Sequence, residues 1–382
     1  MTSRERVLNI LNHKEADQIP LDLGTGKACS INMKIYARLL EYFGIKEEIQ
    51  CANKTSQLAH ASEAFLERIG GDMRAPFPLF KKPPKPTSEE WEDENGYYIR
   101  NAWGTLMRMP KEGGLYYDMI QAPLQGTDED DGIEYTLPEL PEVDPAAVEQ
   151  AKRFRQEGFP VLGTEHFGYG FLQNGPRIYG YEDWMVMLAL GDKRVAEHCD
   201  KLLEAKMKYW DHIIEAFGDL LDVVSETDDI GMQSGPFISP ELFRRVIKPY
   251  QKKLYDHIHS RTNAKIFLHT CGSIVELLPD LIEIGLDIVN PVQISAAGMD
   301  PAFLKKEFGK DIVFWGGGVD TQKVLPTGTQ QQVRDQVKKN MEIFSKDGGF
   351  VFAVVHNLQA DVPTENVIAL LEAFHENKKY NN

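Results

Sequence analysis

His269 and Cys271 lie two residues apart in the apolar run Lys265–Cys271, KIFLHTC. In an extended strand residues i and i+2 face the same side, so the imidazole and the sulfur can converge on one point. A borderline-soft ion such as Zn²⁺ accepts that pair as neutral imidazole and thiolate. A catalytic zinc takes three protein ligands and keeps one position open. His356, directly after the apolar run Gly349–Val355, offers the third ligand. Glu226, Asp228 and Asp229 close the run that begins at Val223. Each is a candidate catalytic group: a labile fourth ligand, a partner that orients a ligand, or the group that handles a proton. The competing reading makes Cys271 a small core hydrophobe.

Other polar residues stand at the ends of apolar runs, where an unpaired polar group is costly unless it is liganded. His166, Asn290, Gln293 and Asp320 do so, and Tyr169 follows closely; all are candidates to line a ligand pocket, with a hydrogen-bonded core histidine as the default alternative for His166. Gly317, within Gly316-Gly317-Gly318, either lets a ligand approach the backbone or makes a tight turn. Asp72 is a further catalytic candidate, with an internal ion pair to Arg74 as its alternative. Cys29, Cys51 and Cys199 have no partner at ligand spacing and are expected to be buried or incidental.

Eight runs have strand character: Ile19–Gly24, Asp72–Phe77, Val161–His166, Val223–Thr227, Lys265–Cys271, Ile288–Gln293, Val313–Val319 and Gly349–Val355. Most are apolar almost continuously, as strands of a parallel sheet covered on both faces are. Helical patterns separate them. Ser239-Pro240 caps a helix expected to run on to Arg261, and further helices are expected over Ser273–Glu283, Pro301–Phe308, Thr329–Phe344 and Thr364–His375. Strand-then-helix repeated in this way predicts an α/β fold, a (β/α)₈ TIM barrel spanning residues 1–382 as one domain. In such a barrel the chemistry gathers at the C-terminal strand ends. Residues 81–142 break the pattern. A proline run, KKPPKP, precedes alternating stretches around Trp91–Met109 and Leu115–Leu124, with Asn95-Gly96 as a hairpin signal. This segment is expected to be a β-rich insertion near the barrel mouth, and the acidic run Asp128–Asp131 a solvated turn.

The chain has 382 residues, with 42 Lys plus Arg against 58 Asp plus Glu, a formal charge of −16. An acidic surface disfavours nucleic acid and anionic membranes as partners. The opening residues lack a signal-peptide pattern, and no stretch of about 18 consecutive apolar residues occurs. Four cysteines without a disulfide-framework spacing fit a reduced, cytoplasmic protein.

Several segments resemble the uroporphyrinogen decarboxylase superfamily over nearly the full length. They are SRERVLNILNHKEADQIPLDLG, LERIGGDMRAPFP, SGPFISPELFRRVIKPYQKKL, FLHTCGSIVELLPDLIEIGLDIVNPVQ, FWGGGVDTQKVLP and GGFVFAVVHNLQADVPTENVIAL. The chain looks most like the branch of cobalamin-dependent methyltransferases similar to methylcobamide:coenzyme M methyltransferases. That branch carries His-x-Cys at the end of strand five, matched by His269 and Cys271. Its third zinc ligand is a Cys; counting back from Pro363-Thr-Glu-Asn366, that position holds His356. The resemblance therefore implies a zinc site with one thiolate in place of two. Less anionic charge on the ligands should favour an oxygen substrate. The decarboxylase branch has a His at the His356 position and an Asp at the Asp72 position. Its Arg-Gln-Ala-Gly-Arg motif, which binds substrate carboxylates, corresponds here to GTGKACSIN, with only Lys27. Without those arginines a porphyrinogen is poorly served.

The resemblance thus implies a zinc-dependent methyltransferase that moves a methyl group between a small substrate (O-methyl, thiol or amine) and a corrinoid. No Asp-x-His-x-x-Gly corrinoid signature is present, so the cobamide is expected on a partner corrinoid protein. The pocket residues His166, Tyr169, Asn290, Gln293, Gly317 and Asp320 would then meet substrate or corrinoid. A homodimer is left open. The alternatives are a metal-free decarboxylase-like lyase using Asp72 and His356, and a non-catalytic ligand-binding barrel.

Overall fold

A computed structural model describes residues 1–82, 88–128 and 135–380. The end of the proline run and the acidic run beyond Asp128 lie outside the described residues. Among the described residues, thirteen strands form three sheets. Near the start, β1 (Ile31–Asn32), β2 (Cys51–Asn53) and β3 (Leu58–Ala59) make a small antiparallel sheet. Then β4 (Glu89–Glu92), β5 (Gly96–Arg100), β6 (Leu106–Pro110) and β7 (Asp118–Gln121) pair in sequence order as an antiparallel meander. The third sheet is parallel: β8 (Leu162–Gly163), β9 (Val223–Thr227), β10 (Lys265–His269), β11 (Ile288–Asn290), β12 (Val313–Trp315) and β13 (Phe350–Val351), each beside its sequence neighbour.

The first two expected strands shrink to single bridges at the edges of this sheet. Leu21 bridges Phe352 and Arg74 bridges Val161, both in parallel. The Asp72 N–H donates to the Leu21 carbonyl at 2.9 Å. Pro20 and Pro76 withhold N–H groups from any longer ladder, and Gly24 turns the chain away at φ +106°. An α/β fold with this parallel sheet and these bridges fits the TIM-barrel architecture. Every parallel strand lies within its expected run. The C-terminal residues of those runs leave the ladder, and they are the residues that build the site.

Side chains alternate along each strand. On β9, Val223, Ser225 and Thr227 face inward, while Val224 and Glu226 face the helices. The inward apolar residues Leu162, Val223, Phe267, Ile288, Val313, Trp315 and Val351 form one core cluster. The helix Ser3–Leu11 joins it through Val7, Ile10 and Leu11, filling the end of the barrel interior opposite the site. A capping box between Thr2 and Glu5 starts that helix. The larger cluster packs helices onto the outer face.

Local structure departs from expectation along the helix from Pro240 and agrees with it at Asn95-Gly96. The helix from Pro240 breaks at Ile247, giving Pro240–Val246 and Lys248–Arg261. Pro249 has no N–H to continue the ladder. The Asn95-Gly96 hairpin exists, but Asp93 makes its turn by accepting from the N–H groups of Asn95 and Gly96. Gly96 is needed for close approach: a Cβ there would stand 2.6 Å from the Met109 carbonyl oxygen. Among the described residues no helix is long and apolar enough to cross a membrane.

Candidate metal centre

The strand ends bring His269, Cys271 and His356 together. One ligand atom from each lies within 4.8 Å of the other two. Cys271 Sγ stands 3.6 Å from His269 Nε2, and the two imidazole centroids are 5.8 Å apart. The pairing comes from strand geometry. His269 ends β10, Cys271 follows two residues later, and His356 lies beyond β13 across the barrel.

Each imidazole is aimed by an asparagine. His269 Nδ1 donates to Asn290 Oδ1 at 2.7 Å, and His356 Nδ1 donates to Asn357 Oδ1 at 2.7 Å. An amide oxygen only accepts, so each Nδ1 carries the proton and each Nε2 keeps its lone pair for the cluster. Register sets the first contact, because His269 and Asn290 are paired neighbours on β10 and β11. Asn290 is fixed in turn by its amide N–H donating to the Trp315 carbonyl at 2.9 Å. Burial, with His269 as a like-charged neighbour, holds His356 down at about 4, so it is neutral at physiological pH. Burial and the nearby Asp229 carboxylate push the Cys271 thiol well up. A thiolate in that position needs a cation beside it.

The cluster opens on a cavity of about 460 Å³ lined by His269, His356, Asp229 and other strand-end residues. Of the three acidic candidates on β9 and its loop, only Asp229 reaches the cavity. Its Oδ1 accepts from the Cys271 N–H at 2.9 Å and its Oδ2 from Gln173 Nε2 at 2.6 Å. Glu226 points the other way, into a buried pair with Lys206 Nζ at 2.6 Å and Trp210 Nε1 at 2.5 Å. Asp228 is buried under the helix Phe171–Tyr179 and accepts from the N–H groups of Leu172 and Gln173. Burial raises it to about 6. Asp72 is also remote from the cavity lining. It binds Arg6 Nη1 at 2.5 Å and the Leu21 N–H at 2.9 Å, while Arg74 pairs with Glu63.

His166 and Tyr169 line the cavity. His166 is strongly disfavoured as a cation by burial, and its Nδ1 is buried without a partner. Asn290, Gln293, Gly317 and Asp320 lie outside the lining. Gln293 accepts from the Gly272 N–H at 2.7 Å, the Gly317 carbonyl accepts from Asn340, and Asp320 accepts from the Gln322 N–H. The first contact braces the loop that carries Cys271, and the other two hold the loop after β12. Several lining residues carry no signal in the sequence. Tyr116, from the loop between β6 and β7, reaches in and lies 3.5 Å from Asn357 Oδ1. Arg177 stacks on Tyr169. Asp22 accepts from Trp315 Nε1 at 2.9 Å while its other oxygen is buried and unpartnered. Asn357 had one available clue, its place beside His356.

Comparison with known proteins adds a family. Residues 171–377, just over half of the chain, match the family model described as uroporphyrinogen decarboxylase (URO-D). No curated protein sequence matches. Among solved structures, a methyltransferase from Methanosarcina mazei superposes with a TM-score of 0.64 at 19% identity, covering 98% of this chain and 99% of that one. At that identity the likeness is one of fold. Native xylanase 10B from Thermotoga maritima has a TM-score of 0.39 at 8% identity, covering 62% of this chain and 82% of that one.

Proposed function

The chain belongs to the uroporphyrinogen decarboxylase family, and we propose that within it this protein is a zinc-dependent methyltransferase. It would move a methyl group between a small substrate and a corrinoid carried by a separate protein. The observation that carries this reading is the convergence of two imidazole nitrogens and one Sγ within 4.8 Å at the strand ends. Two nitrogens and a sulfur are a donor set zinc accepts, and three ligands leave a position open. A decarboxylase acting through acid/base groups alone has no use for such a set. The full-length likeness in fold to a protein titled methyltransferase accords with this reading.

His269, Cys271 and His356 would hold the ion. Bound there, zinc would supply Lewis acidity to the substrate heteroatom, making it a better leaving group or, as thiol or hydroxyl, a stronger acid. With one thiolate the site keeps more positive charge than a two-thiolate site. That favours an oxygen heteroatom, hence an O-methyl substrate. The rest falls to the chain's own residues. Asn290 and Asn357 fix which imidazole nitrogen faces the ion. Asp229, hydrogen-bonded to the Cys271 backbone, is the carboxylate placed to give or take a proton in the cavity wall. Tyr116 covers the cavity from the meander side, where a corrinoid protein would dock.

Metal analysis tests the reading. Purified protein should contain about one zinc per chain, lost in Cys271→Ala and His356→Ala. Protein that takes up no zinc on reconstitution would end the proposal.

A further inference from the structure

One cation in the cavity wall has no anion. Lys27 is paired with Glu165 at 2.6 Å. Arg177, among the described residues, makes neither ion pair nor side-chain hydrogen bond, and its Nε is buried without a partner. Its guanidinium lies over the Tyr169 ring, with Cζ 3.6 Å from the centroid. That contact holds the group in place while its N–H edge makes no hydrogen bond among the described residues. That edge is the fork that matches a carboxylate with two parallel bonds.

Its position relative to the metal cluster is set by one helix. Gln173 and Arg177 are four residues apart on Phe171–Tyr179 and both line the cavity. Gln173 holds Asp229, which holds the Cys271 backbone. Arg177 therefore stands one helical turn, about 5–6 Å between Cβ atoms, from the residue tied to the cluster. A compact molecule can place one end at the cluster and the other at Arg177.

We propose that the substrate carries a carboxylate at the end remote from its reacting heteroatom, and that Arg177 is the residue that receives it. The assignment rests on the methyltransferase reading for which end reacts, but the anion site is testable without methyl transfer. Acid and neutral amide forms of the same methyl ethers serve as probes: methoxyacetate against methoxyacetamide, and 3-methoxybenzoate against 3-methoxybenzamide. Calorimetric titration of the zinc-loaded protein should show at least one acid binding about tenfold tighter than its amide, the size expected for charge-assisted hydrogen bonds. Arg177→Gln should bring that ratio close to one, and Arg177→Lys, which keeps the charge without the fork, should fall between. Zinc content and circular dichroism of both variants should match the native protein.

Equal affinity for acid and amide in the native protein overturns the assignment. So does an acid preference that survives in Arg177→Gln, or failure of both acids to bind at millimolar concentration. Should Arg177→Gln not fold, Arg177→Lys and the native acid-to-amide ratio still decide. The two readings fail separately. A protein that prefers the acids through Arg177 but takes up no zinc loses the methyltransferase reading alone. One that binds zinc and transfers methyl groups without preferring acids loses the carboxylate site alone.

Discussion

At the scale of single residues, the site depends on two amides that carry no charge. Asn290 lets His269 present Nε2, and a carboxylate in its place would make the imidazole more basic. Asn290→Ala should weaken zinc binding by about 10- to 100-fold, the usual cost of losing a group that orients a metal-binding histidine. Competition against a chromophoric chelator measures it. Asp22 makes a second prediction. Burial raises its carboxyl from 3.8 to about 6. An acid whose pKa is higher folded than unfolded contributes stability at low pH and loses it as pH climbs between those two values. A shift of that size corresponds to about 3 kcal/mol. Asp22→Asn removes the titration, so relative to the native protein it should gain stability between pH 4 and pH 7, seen in urea unfolding at the two pH values. His269 and Cys271 were legible in the sequence because a strand repeats every two residues. Asn357 and Arg177 were not, since an amide or a guanidinium looks like ordinary surface until its neighbours are known. Glu226 shows the converse: an acidic residue near a strand end is turned outward by the same alternation that turns Thr227 inward.

At the scale of elements, the helix Phe171–Tyr179 supplies the cavity wall with Gln173 and Arg177. Its Gln173 holds Asp229, which accepts from the Cys271 N–H, its Arg177 lines the cavity, and it packs by having no side chain at Gly175. A Cβ there would fall 2.0 Å from the Trp184 ring. Gly175→Ala should therefore destabilise the protein by about 2 kcal/mol or more, even though alanine favours helix, because overpacking outweighs propensity. Urea denaturation gives the value, and an unchanged midpoint would contradict the packing described. Helix positions were legible where a cap announced them, as at Thr329 and Asp300. Ser273–Glu283 was legible only in part: Ser273 bridges Met232, and the helix proper begins at Leu278, just before Pro279.

At the scale of the whole molecule, most of the parallel sheet could be read from runs of apolar residues, because both faces of that sheet are covered. The edge bridges could not, since Leu21 and Arg74 join the sheet through isolated contacts that leave no periodic trace. A metal bound at the strand ends would tie segments more than eighty residues apart, so it should act on global stability. Zinc at a hundred times its dissociation constant should add about 2.7 kcal/mol and raise the melting temperature. Cys271→Ala should show no such rise. The interior of the barrel is also stoppered by the helix Ser3–Leu11. The cavity is thus closed at that end. A small molecule would reach the cluster from the strand-end side, and a protein docked over that side would cover it. Under the proposed methyl transfer, the small molecule would then enter before the corrinoid protein docks and leave after it departs.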